Sequence, residues 1–119
     1  MSESQPANSA QAGTVVAVPE TRDQTRPMRQ PPYHVLLHDD DDHTYEYVIE
    51  MLVRLFGHTV EQAYQLAVEV DTEGRAAVDT TTLERAELKR DQIHAYGRDR
   101  RLRRSAGSMT ATIEPAPQG

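Results

Sequence analysis

Cysteine is absent from the 119 residues, which excludes disulfides, thiolate chemistry and cysteine-ligated zinc. Long apolar runs are missing as well. Nothing approaches the roughly 20 residues that a membrane-spanning helix needs, so no membrane segment is expected. No basic stretch followed by an apolar one opens the chain. No secretory leader is therefore expected, and a cytoplasmic protein is the simplest reading. Hydrophobic residues make up only 37%, and they are thinnest at the front. Residues 1–30 hold Ser, Gln, Ala, Pro, Thr and Gly around one apolar cluster, Val15–Val18, and three acids there balance three arginines. The composition predicts a flexible arm over 1–30 and a single folded domain over 31–117, opened by the stiff pair Pro31-Pro32.

The net charge of −6 conceals a division. Residues 39–73 carry ten acids against Arg54 alone, whereas residues 98–104 carry five arginines against Asp99. Overall acidity excludes general nucleic-acid binding, which needs an extended basic face. The arginine cluster lies between Gly97 and Ser105-Ala106-Gly107-Ser108, and it reads as a solvated loop.

Periodicity and caps define the elements. Tyr33 to Leu37 reads as a buried strand. A helix runs from about Thr44 to Phe56, with Val48, Leu52 and Leu55 in one apolar row and Ile49, Val53 and Phe56 in the next. Gly57 stops it. Thr59 and Gln62 form a capping box that opens a second helix carrying Ala63, Leu66, Ala67 and Val70, and Gly74 ends it. Arg75 to Thr80 is a strand by position. Thr81 and Glu84 read as a second capping box, opening a third helix to about Tyr96 with Leu83, Ala86, Leu88 and Ile93 as its thin apolar face. Met109 to Ile113 alternates as an edge or half-buried strand does. Three strands are too few for a doubly wound sheet, so the expected fold class is α+β, a small sheet covered on one face by helices. About 80 folded residues leave no room for a deep enzyme cleft and suit a binding module. No candidate nucleophile is present, and no enzyme is expected.

Asp39 to Asp42 concentrate negative charge where the first strand hands over to the first helix. One reading is stabilisation of the helix N-terminus, and the sharper one is recognition of a cation. With His38 and His43 alongside, a metal deserves weighing. Successive residues of an extended segment point in alternate directions, so they cannot all converge, and neither a metal nor any other cofactor is expected.

Tyr33-His34-Val35-Leu36-Leu37, Asp39-Asp40-Asp41 and Glu46-Tyr47-Val48-Ile49 together resemble the ClpS family, adaptors of the Clp protease. Ala63-Tyr64-Gln65-Leu66, Glu73-Gly74-Arg75-Ala76, Ala86-Glu87-Leu88-Lys89 and Thr112-Ile113-Glu114-Pro115-Ala116 extend the resemblance in order and spacing. It runs without gaps from Tyr33 to about Tyr96 and needs a short insertion at the arginine loop. The resemblance implies a β-α-α-β-α-β order with a three-stranded antiparallel sheet. It implies a non-catalytic adaptor that binds proteins beginning with a bulky hydrophobic residue, the N-degron substrates. Delivery would be to an AAA+ chaperone of ClpA or ClpC type, docked through that chaperone's N-terminal domain and paired with the ClpP peptidase.

Such recognition requires an apolar pocket beside acceptors for an α-ammonium. The resemblance places the acceptors at Asp39, Asp40, Asp41 and Asp71. It places the hydrophobic pocket at His43, Tyr45, Val48, Ala67, Val70 and Met109, and chaperone docking at Glu84 and Lys89. Three positions depart from the family pattern. Asp39 stands where an Asn is typical and Asp71 where a His is typical. His43-Thr44-Tyr45 stands where Thr-Pro-Met is typical, so a capping Thr gives way to His43 and a gatekeeping Met to Tyr45. The exchanges make the site more anionic. The alternative expectation is therefore an interaction module of the same fold whose N-degron recognition is altered or lost.

Overall fold

The computed structural model describes residues 30–117, and the expected arm, apart from Gln30, lies outside the described residues. The elements follow in the order β1 (Tyr33–His38), α1 (Tyr45–Phe56), α2 (Val60–Glu73), β2 (Arg75–Thr81), α3 (Leu83–His94) and β3 (Ala111–Pro115). β1 is the central strand of a three-stranded sheet ordered β2-β1-β3, antiparallel on both sides. The α+β, β-α-α-β-α-β reading holds. Strand alternation sends Val35 and Leu37, both fully buried, into the core. On the other face His34 meets Thr80 and His38 meets Thr112, each at 2.7 Å.

The register of β1 against β2 shifts between Val35 and Leu36, which face Asp79 and Ala77. Val78 is the extra residue of this bulge. Its carbonyl accepts a hydrogen bond from His58 Nε2 at 2.7 Å rather than remaining bare at the sheet edge.

The helix ends follow the expected chemistry with two corrections. Gly57 and Gly74 both adopt left-handed backbone, at φ 73° and 89°, and close α1 and α2. Thr59 and Gln62 form the reciprocal capping box. The third helix is capped by Thr82, whose hydroxyl accepts from Arg85 N–H, and not by Thr81, which still belongs to β2. α1 keeps a threonine cap despite His43, because Thr44 accepts from the Tyr47 N–H. One residue further along the chain performs the same task.

The buried face of α1 is Tyr47, Val48, Met51 and Leu52, while Ile49, Val53, Leu55 and Phe56 pack at its margins. On α3 the expected stripe is wrong at Leu88, which is 50% exposed. Ala86 and Ile93 face inward as expected, and Lys89 takes the inward place that Leu88 does not. Lys89 lays its stem on the core, holds its ammonium 5.4 Å from the centre of the Phe56 ring and donates to the Leu55 carbonyl. A long amphipathic side chain buries its methylenes while its charge satisfies a carbonyl in the last turn of α1. The last strand has the expected length but begins two residues later, at Ala111 rather than Met109. Met109 is buried just ahead of it, and Thr110 contributes only its carbonyl, which accepts from His38 N–H at 3.0 Å.

Candidate functional site

The acidic segment is a turn built from its own side chains. The Asp39 N–H donates to the Gly74 carbonyl at 2.9 Å, which ties the exit of β1 to the end of α2. Asp40 Oδ1 accepts from Asp42 N–H at 2.8 Å, and His43 Nδ1 stands 2.8 Å from the same oxygen and 3.0 Å from Oδ2. The far side of that ring, Nε2, lies 2.7 Å from the Gly107 carbonyl. The His43 side chain is 4% exposed and its ring packs 4.6 Å from that of Tyr47.

Every residue assigned to the substrate site from sequence, except Asp41, lines one cavity of about 50 Å³. Its floor is apolar: Val48, Ala67, Val70 and Met109, all buried. Its rim holds Asp39, Asp40, His43, Tyr45 and Asp71. Asp41 lies outside, exposed, with its carbonyl accepting from Arg104 Nε at 2.8 Å. Thr44 also lines the cavity and was not anticipated there. β1 delivers the aspartates, the first turns of α1 deliver Tyr45 and Val48, the end of α2 delivers Ala67, Val70 and Asp71, and the approach to β3 delivers Met109.

Two features of the rim escape sequence patterns. The Tyr45 hydroxyl donates to Asp71 Oδ2 at 2.7 Å, bridging α1 and α2 above the floor. That bond to Asp71 pushes the phenol up to about 12, so Tyr45 stays neutral. Tyr64, 51% exposed, meets the Tyr45 ring edge-on at 6.0 Å. The Asp39 carboxyl is itself pushed up, first by partial burial and then by the charges of Asp71, Asp40 and Asp41. A carboxyl whose folded value is raised contributes stability below its ordinary value of 3.8 and loses that contribution as pH rises through the raised value. Asp39→Asn is therefore expected to raise the melting temperature at pH 7, by less than about 1 kcal/mol of stability for so exposed a group. The gain should vanish at pH 3 and below. Thermal unfolding at both pH values checks it, and a variant less stable than wild type at pH 7 would contradict the repulsion.

The two residues assigned to docking part company. Glu84 is exposed on α3, whereas Lys89 is buried with its ammonium engaged by the Leu55 carbonyl. The five arginines of the loop from 97 to 108 are exposed, as a solvated loop requires, but two of its other residues turn inward. Asp99 is fully buried and Ser105 is 2% exposed. Among the described residues no group of three or more His, Asp or Glu side chains gathers as metal ligands would.

A family model described as ATP-dependent Clp protease adaptor protein ClpS matches residues 28–104. The chain is 41% identical over 83 residues to the ATP-dependent Clp protease adapter protein ClpS of Edwardsiella ictaluri, covering 68% of this chain and 78% of that protein. It is 42% identical over 67 residues to the protein of that name from Vibrio cholerae, covering 56% of this chain and 63% of the other, just under two thirds of its length. Among solved structures, Agrobacterium tumefaciens ClpS2 bound to L-phenylalaninamide superposes with a TM-score of 0.64 at 23% identity, covering 74% of this chain and all of that one. At that identity the superposition speaks for the fold.

Proposed function

The chain belongs to the ClpS family of non-catalytic Clp protease adaptors, and from that premise we propose that its cavity holds the first residue of a substrate protein. The observation that carries this is the pairing of Asp39, Asp40 and Asp71 on the rim with a floor of Val48, Ala67, Val70 and Met109. A free N-terminus offers the complementary pair, an ammonium and, on the same α-carbon, a side chain. Charge-assisted hydrogen bonds hold the first, and apolar burial holds the second. L-Phenylalaninamide, the ligand of the Agrobacterium protein, has that same chemistry of an α-amine beside an apolar side chain.

Fluorescence anisotropy with labelled peptides beginning in Leu, Phe, Tyr, Trp or Arg, each beside its N-acetylated form, tests the reading. Selective binding of free hydrophobic N-termini is expected. No preference for free over acetylated peptides would overturn it. One observation favours the second reading, an interaction module with altered recognition: a cavity of about 50 Å³ spanned by the Tyr45–Asp71 hydrogen bond. Binding confined to peptides with small first residues, or to none, would move the weight there.

Delivery requires a second surface. We assign it to the exposed side of α3 around Glu84, facing the N-terminal domain of a ClpA- or ClpC-type chaperone, with residues 1–30 as an arm that reaches the unfoldase pore while the domain stays docked. A flexible chain of thirty residues would span about 30 Å on average. The compartment in this reading is the cytoplasm, and no helix among the described residues is long and apolar enough to cross a membrane. Glu84→Lys should weaken binding to the isolated chaperone domain by about 1 kcal/mol, as an exposed charge contact does, and leave peptide binding unchanged. Calorimetry giving equal affinities for wild type and variant removes Glu84 from the interface. Lys89 is unsuited to this test, because reversing its charge would place a carboxylate against the Leu55 carbonyl.

A further inference from the structure

We propose that the loop between α3 and β3 is the positioning clamp of the α-ammonium site, with Asp99 as its positioning residue; this rests on the function proposed above. The loop's composition, five arginines beside small residues, is that of a solvated connection. Its one acid is nevertheless fully buried. A buried carboxylate persists only where its oxygens are satisfied. Asp99 Oδ2 accepts from the Thr44 N–H at 2.7 Å and the Thr44 hydroxyl at 2.8 Å, and Oδ1 accepts from the Arg101 N–H at 2.9 Å. Burial alone would push this carboxyl up, but the bonds from Thr44 and Arg101 hold it below the usual range. Asp99 therefore stands behind the cap of α1 as a fixed charge.

From there the loop returns to the acidic turn twice more. The Asp99 N–H donates to Ser105 Oγ at 2.8 Å, which orients the backbone that brings the Gly107 carbonyl to 2.7 Å from His43 Nε2. The opposite nitrogen of His43 rests on Asp40, so the carboxylate on the rim is aligned through the ring. Arg104 donates to the Asp41 carbonyl and, at 3.2 Å, to Asp42 Oδ1. Thr44, His43 and the Asp41–Asp42 pair are thus each held by a different part of one loop. Four adjacent carboxylates on an exposed turn repel and would spread over many rotamers. With Asp40 held through His43 and Asp42 by Arg104, those two carboxylates have less freedom left to lose when a ligand arrives.

The test compares wild type, Asp99→Asn and Arg104→Gln by two readouts. One is amide exchange at Asp42 and Thr44 in the ligand-free protein, followed by NMR. The other is the affinity for a Phe-initiated peptide, free and N-acetylated. Arg104 is a surface side chain, 62% exposed, so its variant keeps the fold if Asp99→Asn does not. The expected result is faster exchange in both variants and a loss of about tenfold in affinity for the free peptide only, the scale of one charge-assisted hydrogen bond made in poor geometry. A purely structural role would lower the melting temperature without shifting the ratio of free to acetylated binding. If wild type binds the free peptide and both folded variants bind it equally well, the clamp is overturned. If wild type binds neither form, the N-terminus reading fails on its own, and exchange decides the clamp: acceleration upholds a hold on the acidic turn, and unchanged rates overturn it.

Discussion

Asp40→Ala is expected to weaken binding of free N-terminal peptides by about 1.5–3 kcal/mol, the range for a hydrogen bond to a charged group, or roughly ten- to a hundredfold. Asp40 is singled out because two partners fix its orientation: Oδ1 is held by the Asp42 N–H, and both oxygens face His43 Nδ1. Its side chain is 32% exposed, so it can be removed without opening the core. Asp40→Asn separates charge from shape, because the amide oxygen can still accept from the Asp42 N–H. If ammonium recognition is electrostatic, Asn should lose nearly as much affinity as Ala. N-acetylated peptides, which carry no charge, should bind wild type and both variants equally weakly. Retention of full affinity in folded Asp40→Asn would show that charge at this position is not what selects the N-terminus.

What the sequence made legible here was local or periodic. The Thr59–Gln62 box, the two terminal glycines and the 3.6-residue spacing of α1 are each confined to a few neighbours along the chain, so they can be read without knowing the fold. The cavity residues became legible together only through resemblance to a family, because Asp40, Val70 and Met109 lie on separate elements. The illegible parts depend on contacts that no local pattern records. Asp99 and Thr44 are 55 positions apart, and the acid sits among arginines that mark a solvated segment. Lys89 has the character of a surface residue, and only the approach of α1's last turn gives its ammonium a carbonyl to bond. The Thr81 cap failed for a related reason. Two threonines in succession offer the same side chain, and pairing of Thr81 with Tyr33 in the sheet decides that Thr82 takes the cap.

Tyr45→Ala is expected to raise affinity for peptides beginning with Phe or Trp by about tenfold, the scale on which a pocket discriminates by size. A cavity needs on the order of 150 Å³ to hold a benzene ring, and the present one offers about 50 Å³. An aromatic first residue would therefore enter only if something on the rim moved. Val48, Ala67, Val70 and Met109 are buried among the core, whereas Tyr45 is half-exposed and anchored at its tip by Asp71. Tyr45 is the side that yields. Under the proposed function an arriving ammonium would compete with the phenol for Asp71, so ligand binding and release of the ring would be coupled. Tyr45→Phe keeps the ring but removes the bond, and its gain should fall between wild type and Ala. Leu-initiated peptides, smaller than the aromatic ones, should gain less. Because the Tyr45 phenol is pushed up to about 12, it remains a donor to Asp71 well above the ordinary tyrosine value. The difference in ultraviolet titration between wild type and Tyr45→Phe should accordingly show no phenolate at position 45 from pH 7 to pH 10.5. A phenolate appearing near pH 10 would mean that the bond to Asp71 does not hold the ring. Uniformly weaker binding by Tyr45→Ala would mean that the ring is a wall of the pocket, so that ligand contact with it outweighs the volume it occupies.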